Sequence, residues 1–310
     1  MTVTKIALVG VGKIARDQHI PSITANPDFE LSAAVSRNAT VDGIDNFTSL
    51  DELLTARPDI PAVALCMPPQ ARFEVACAAL EAGKHVLLEK PPGATLSEVE
   101  ALVDLADTRG LSLFATWHSR FGSAVGAARD WLADRRITSL QITWKEDVHR
   151  WHPGQAWIWQ AGGLGVFDPG INALSILTEI MPHAIHLTGA ELEFPSNCDT
   201  PIAARLEFAD QNKAELKADF DWRQTGPQTW EIAVETETGA LRLLDGGSRI
   251  VIDGTEHPSA PEAEYDAIYA RFSELLGTGK SDVDLAPLRH VADAFMLGKR
   301  LETDAFFDKA

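Results

Sequence analysis

Lys5-Ile6-Ala7-Leu8-Val9-Gly10-Val11-Gly12-Lys13-Ile14-Ala15 sets a short apolar run directly before Gly-x-Gly-x-x-Ala, and a helical pattern follows through about Thr24. In that setting each small residue has a mechanical task. Gly10 permits the tight turn, Gly12 lets a pyrophosphate reach the backbone, and Ala15 allows the helix to pack closely on the strand. The helix start then offers free amides to an anion. Glycine turns with a purely structural role share the pattern, so its place between a strand and a helix carries the reading of a dinucleotide-binding unit.

Working outward, the same alternation continues. Leu31 to Val35 reads as the next strand and ends in Ser36-Arg37-Asn38, where an NAD-selective site carries a carboxylate for the ribose 2'-hydroxyl. Here no carboxylate repels a phosphate and Arg37 can pair with one, so NADP is expected to be preferred, with NAD accepted. Ser49 to Ala56 is a short helix, and Ala62 to Cys66 a strand ending in Met67-Pro68-Pro69. Gln70 to Ala82 is a helix stopped by Gly83.

His85-Val86-Leu87-Leu88-Glu89-Lys90-Pro91-Pro92-Gly93 follows, an apolar run that ends in a charged pair and a proline stop. Proline fixes φ and turns the preceding residue away from helix, so Lys90 stands at a strand's carboxyl end, the edge where open parallel sheets bind ligands. A solvated surface pair is the competing reading. Leu96 to Arg109, stopped by Gly110, is another helix, and Leu111 to Thr116 another strand, ending in Trp117-His118-Ser119-Arg120-Phe121. Strands separated by helices of this length predict a doubly wound parallel α/β sheet over residues 1–120.

Past a helix near Ala124 to Asp134 the pattern changes. Ile137–Trp144, Ile185–Glu193, Ile202–Phe208, Ala214–Trp222, Glu231–Glu237 and Ala240–Leu244 read as strands, several with period-two alternation and no helix between them. This predicts an α+β domain over 121–310, built on a mostly antiparallel open sheet with one face packed and one exposed. The exposed face is expected to make homo-oligomer contacts. Helices over about Glu262 to Leu276 and Leu285 to Lys299 close the pattern, and one could return to the first domain.

Totals exclude several partner classes. Asp and Glu outnumber Lys and Arg 45 to 27, for a formal charge of -18 in 310 residues, which disfavours nucleic acid and anionic membranes. No signal peptide or membrane-length apolar run is visible, and three cysteines (Cys66, Cys77, Cys198) without metal-like spacing give neither a disulfide framework nor a metal site. A cytoplasmic setting is expected.

Four of the eight tryptophans lie between Trp144 and Trp159, among Glu146, Asp147, His149, Trp151 and His152. Flat indole faces suit the C–H face of a sugar ring and equally suit a core. Gly165-Val166-Phe167-Asp168-Pro169-Gly170-Ile171-Asn172 comes next. Asp168 and Asn172 would share a helix face. Asp before Pro is also a good N-cap followed by N1, which would make Asp168 purely structural.

Taken together, Gly-x-Gly-x-x-Ala, Glu89-Lys90-Pro91 and Asp168-x-x-x-Asn172 resemble the glucose-fructose oxidoreductase/inositol dehydrogenase family over nearly the whole chain. Within it, residues 12–19, 89–95, 116–120, 144–147, 151–155 and 167–175 are similar to bacterial aldose 1-dehydrogenases acting on L-arabinose and D-galactose. The resemblance implies an NAD(P)-dependent oxidoreductase that converts the anomeric carbon of a sugar to the aldonolactone. It implies catalytic roles for Lys90 and Asp168, and substrate contacts from Lys90, His118, Glu146, Trp151, His152, Asp168 and Asn172. Asn172 stands where the family usually has histidine, which removes that acid/base group. The cofactor site is expected to include Gly10, Gly12, Lys13, Ile14, Ser36, Arg37, Met67, Pro68, Glu89, Lys90 and His118. Two other readings stay open: the same fold acting on an inositol or dihydrodiol, and a non-catalytic dinucleotide-binding regulator.

Overall fold

Apolar runs too short for helices and bounded by turn residues form the first sheet of the computed structural model, which describes residues 3–307. Its strands are β1 (Thr4–Val9), β2 (Phe29–Val35), β3 (Asp45–Phe47), β4 (Ala62–Leu65), β5 (His85–Glu89) and β6 (Leu113–Thr116). They run parallel in the order β3-β2-β1-β4-β5-β6. This is the doubly wound arrangement, whose order reverses beside β1, so the carboxyl ends of β1 and β4 flank the ligand-binding switch point. All four residues of β4 are fully buried, as a central parallel strand requires.

Local chemistry sets the intervening helices. Ser49 caps Leu50–Ala56 by accepting from the Glu52 amide, and Thr95 caps Leu96–Arg109 by accepting from that of Glu98. Gly110 ends the latter helix at φ +66°. The helix after the glycine turn departs from the expected uniform pattern, with one π turn over Ala15–His19 before Ile20–Ala25. Pro21 lacks the amide that would close the ordinary ladder, and the wider turn accommodates it.

The first unit comprises residues 3–118 together with Ala263–Leu285. The expected boundary at residue 120 lies at 118, and of the two closing helices Glu264–Thr278 is the one that returns to the first unit, as the sequence allowed. Aromatic packing accounts for this: Phe272 stacks between Phe29 and Phe114 at 5.9 and 6.2 Å. The Ser112 hydroxyl donates to Leu275 O, and the Ala115 amide to Asp282 O.

The second unit comprises Ser119–Glu262 and residues 286–307. Its strands are β7 (Ile137–Lys145), β8 (His186–Pro195), β9 (Ala203–Ala209), β10 (Glu215–Asp221), β11 (Thr229–Thr236), β12 (Gly239–Leu244), β13 (Arg249–Ile252), β14 (Thr255–His257) and β15 (Lys299–Thr303). The sheet order is β14-β13-β12-β11-β7-β10-β9-β8-β15. Only β7–β10 and β8–β15 pair in parallel. Period-two alternation gives it two unlike faces. Leu140, Ile142, Phe208, Leu216, Phe220, Ile232 and Val234 are buried, and the helices Phe167–Ile180 and Ala286–Leu297 pack on this unit's sheet. On the other face Arg205 pairs with Glu191 and Glu193, and Arg242 with Glu231. Gly170 brings the first of those helices close, since a Cβ there would lie 2.9 Å from the Phe220 ring. Among the described residues no helix is long and apolar enough to cross a membrane.

Candidate active site

In the first unit the glycine turn has the geometry its sequence asks for. Gly10 sits at φ +96°, and a Cβ there would fall 2.9 Å from the Met67 amide, so only glycine lets the ends of β1 and β4 meet. Gly12 faces open space, and Ala15 is wholly buried. A pyrophosphate therefore fits against the backbone at Gly12. Lys13 is paired with Asp17 on the exposed helix surface, and Ile14 is partly exposed beside it. At the end of β2 the Ser36 amide donates to Phe47 O. Arg37 is exposed and makes no ion pair among the described residues. Arg16 donates to Thr40 O at 3.1 Å, a second cation against the loop that carries Arg37. Met67 is half-buried and Pro68 exposed just past the end of β4.

Lys90 follows β5 at a cis peptide to Pro91, and its main chain is held from both sides. Arg72, 2% exposed, donates to the carbonyls of Met67, Glu89 and Pro91. Burial lowers its pKa to about 10, still cationic near neutrality. Glu89 is 4% exposed, which excludes the solvated surface pair. Its carboxylate accepts from the Tyr265 hydroxyl at 2.6 Å, His19 Nε2 at 3.1 Å and the Lys90 amide at 2.7 Å. His19 meets the Tyr269 hydroxyl at 2.7 Å through Nδ1.

Burial alone would disfavour charge on both members of this pair, yet their neighbours shift each of them the other way. Desolvation pushes Glu89 up, but the His19 bond and charge, His118 and the Tyr265 hydroxyl bring it down to about 2. Desolvation likewise lowers His19, and the neighbouring Cys66, Tyr269 and Glu89 outweigh it, raising the imidazole well above its usual value. Burial, reinforced by Glu89, raises Tyr265 well above the ordinary phenol, so it stays a donor. His118 lies 2.6 Å from Glu264 and stacks on Tyr265 at 5.7 Å. Glu89, expected as a cofactor contact, thus has its carboxylate turned into a buried network.

In the second unit the helix Phe167–Ile180 opens with Val166 at the N-cap and no side-chain cap. Asp168 is therefore not the cap residue. It lies inside the first turn, 5% exposed, with His152 Nε2 3.6 Å from its Oδ2. The same nitrogen lies 3.9 Å from Glu146 Oε1. Both separations exceed a hydrogen bond. Glu146, 6% exposed, is gripped by two indoles, accepting from Trp222 Nε1 at 3.1 Å and Trp230 Nε1 at 2.9 Å. The His152 ring rests 5.1 Å from that of Trp222. Trp151 is exposed, edge-on to Trp230 at 5.6 Å, and donates to Gln228 Oε1. Asn172 is half-buried one turn beyond Asp168.

The structure thus gathers Glu146 and Asp168 around the His152 imidazole in the second unit, with Trp151 nearby on Trp230. It sets Glu89, Lys90 and His118 about one network in the first. Sequence reading missed His19, Arg72, Tyr265 and Glu264 there, and Trp222, Trp230 and Gln228 in the second unit. One signal was available: Tyr265 and Tyr269, four apart on one helix face, are the only tyrosines in the chain. No group of three or more potential ligands among the described residues could hold a metal ion.

Comparison with known proteins agrees with this geometry. Residues 4–116 match the model of an oxidoreductase family with an NAD-binding Rossmann fold. Galactose 1-dehydrogenase of Pseudomonas fluorescens is 47% identical over 304 residues, covering 98% of this chain and 99% of that protein. The crystal structure of D-galactose-1-dehydrogenase from Rhizobium etli is 58% identical, covers 99% of both chains and superposes with a TM-score of 0.96. A 3-ketoreductase from Actinomadura kijaniata, crystallised with NADP and TDP-benzene, shares the fold at 20% identity and a TM-score of 0.82 over 97% of this chain and 100% of its own. A relationship running through nearly every residue of both units makes the chain a member of the glucose-fructose oxidoreductase/inositol dehydrogenase family of NAD(P)-binding oxidoreductases.

Proposed function

We propose that the chain is an NAD(P)-dependent aldose 1-dehydrogenase that oxidises the anomeric carbon of D-galactose, L-arabinose or both to the aldonolactone. The observation that carries this is the second-unit cluster, where the buried Glu146, held by the N–H edges of two indoles, and the buried Asp168 flank the His152 imidazole, whose ring packs on Trp222. Carboxylates and an imidazole beside flat rings match a ligand with hydroxyl edges and C–H faces. The likeness to two galactose 1-dehydrogenases supports the same substrate class.

When bound, the nicotinamide accepts the hydride. The chain's own groups manage the proton and the charge. As the anomeric C–H bond breaks, the hydroxyl oxygen must lose its proton, and Asp168 is assigned as its acceptor. Lys90, as the ammonium, would stabilise the developing alkoxide, whereas only as the neutral amine could it be the alternative acceptor. Glu146 and His152 bind ring hydroxyls, Trp151 covers an apolar face, and Asn172 offers a donor and an acceptor without titrating. Sugar and oxidised cofactor give lactone, reduced cofactor and one proton.

NADP is the preferred cofactor in this reading, because β2 ends in Ser36-Arg37 with no carboxylate, and Arg16 adds a cation to that loop. A charge-assisted bond of about 1.5–3 kcal/mol corresponds to roughly ten- to a hundredfold in affinity. Self-association is proposed through the exposed face of the nine-stranded sheet. Its ion pairs would make the assembly salt-sensitive, which light scattering across ionic strength would detect.

Absorbance of the reduced cofactor, with NADP and NAD against D-galactose, L-arabinose, D-xylose, D-glucose and myo-inositol, tests the assignment. Turnover of the first two sugars with NADP favoured supports it. Turnover of inositol alone moves the enzyme to a polyol substrate. If nothing turned over while NADP still raised the melting temperature, a binding role would replace the catalytic one.

A further inference from the structure

The segment after β15 reaches the tryptophan cluster of its own unit. β15 runs parallel to β8 as far as Thr303, whose carbonyl accepts from the Ser196 amide. Three residues on, Asn197 takes both main-chain groups of Phe306: its Nδ2 donates to Phe306 O at 2.7 Å and its Oδ1 accepts from Phe306 N at 2.9 Å. That double bond fixes which of two neighbouring phenylalanines turns inward. Phe307 is 73% exposed, whereas Phe306 is half-buried.

The Phe306 ring stacks on His149 at 5.2 Å and packs on Trp159 at 5.1 Å. Trp159 packs on Trp222 at 5.2 Å, and Trp222 carries both the His152 ring and a hydrogen bond to Glu146. The segment from Val148 to Trp159 has only two short helical turns and no strand of its own, so its placement depends on such contacts. The linker carrying Asn197 adds two more: the Asp199 amide donates to Trp159 O, and Asp199 Oδ2 accepts from the Ala161 amide.

We propose that Phe306, clamped by Asn197, is a positioning residue for the sugar site, holding the His149–Trp159 segment so that His152 stands between Glu146 and Asp168. The role concerns sugar affinity, not the hydride step or the dinucleotide. It rests on the aldose 1-dehydrogenase reading.

The test compares Phe306→Ala, Phe306→Tyr and, as a control on the exposed neighbour, Phe307→Ala. Loss of two ring contacts is expected to raise KM for D-galactose about tenfold. In the same variant kcat should stay within about threefold of wild type, the Kd for NADP should be unchanged, and amides over 148–161 should exchange hydrogen faster. Phe306→Tyr keeps the ring and should restore both KM and exchange, and Phe307→Ala should match wild type. Unchanged KM and exchange in Phe306→Ala would overturn the proposal. So would a parallel loss of kcat, sugar affinity, NADP affinity and melting temperature, which marks general destabilisation. If the wild-type enzyme oxidised no aldose, the functional reading would fail by itself, and the exchange rates would still decide whether Phe306 holds the segment.

Discussion

The carboxylate behind Lys90 and the two carboxylates around His152 are buried alike, at 4% exposure for Glu89 against 5% for Asp168 and 6% for Glu146, yet they are held differently. Glu89 is closed in by an imidazole, a phenol and a main-chain amide, every partner within hydrogen-bond distance. Those partners come from helices and a strand end of the first unit. His152, by contrast, sits on a segment of short turns and stays 3.6 Å and 3.9 Å from its carboxylates. A satisfied network fixes the backbone it touches, whereas the His152 imidazole stands between two carboxylates without a hydrogen bond to either. In the proposed reaction the first region would position Lys90, and the second would contact the sugar.

Removing the groups assigned to chemistry should have the largest effects. Lys90→Ala is expected to lower kcat by about a hundredfold or more, the range of acid/base groups, with NADP still bound. Near-wild-type turnover would remove Lys90 from the mechanism. Asp168→Asn, nearly isosteric, should lower kcat by roughly a hundredfold on the same grounds. If it raised KM alone, Asp168 would be a binding residue and the proton would fall to Lys90.

Glu89→Gln separates positioning from stability. It leaves the buried His19 without its counter-charge, and calorimetry should show a loss of about 3 kcal/mol. The pH dependence of the wild type has a definite sign. Glu89 is depressed to about 2, so its contribution is present above the ordinary carboxyl value and is lost as pH falls through about 2. His19 is raised, so its contribution is full below about pH 6.5 and is lost as pH rises through the folded-state value. Wild-type melting temperature should therefore fall more steeply than that of His19→Gln on the alkaline side. Identical profiles would mean that His19 is neutral in the fold.

The smallest expected effect is at Arg37. Arg37→Ala should weaken NADP by about tenfold and leave NAD nearly unchanged. Equal losses, read by fluorescence titration of the two reduced cofactors, would cancel the 2'-phosphate assignment.

Both sheets were legible where strands are buried or alternate, and the strands missed lie at or beside sheet edges. β3, β14 and β15 are outermost strands and β13 pairs with β14, whereas β6, also at an edge, is buried throughout and was legible. Asp45-Asn46-Phe47, Thr255-Glu256-His257 and Lys299-Arg300-Leu301-Glu302-Thr303 have little apolar pattern, because an edge strand draws its order from the ladder it joins. The glycine turn and Lys90 were readable because their geometry is set within a few residues. Glu89 was not, since its partners stand 70 positions upstream and 176 downstream. Glu146 was singled out as a sugar ligand, but the indoles that hold it, Trp222 just past β10 and Trp230 on β11, arrive 76 and 84 residues later.

The most direct test of hydride removal from the anomeric carbon uses D-galactose deuterated at that carbon, with NADP as acceptor. The mechanism predicts that deuterium appears at C4 of the reduced nicotinamide and that the lactone carries none. Label kept in the oxidised sugar, with protium in the cofactor, would place the oxidation at another carbon and contradict the assignment.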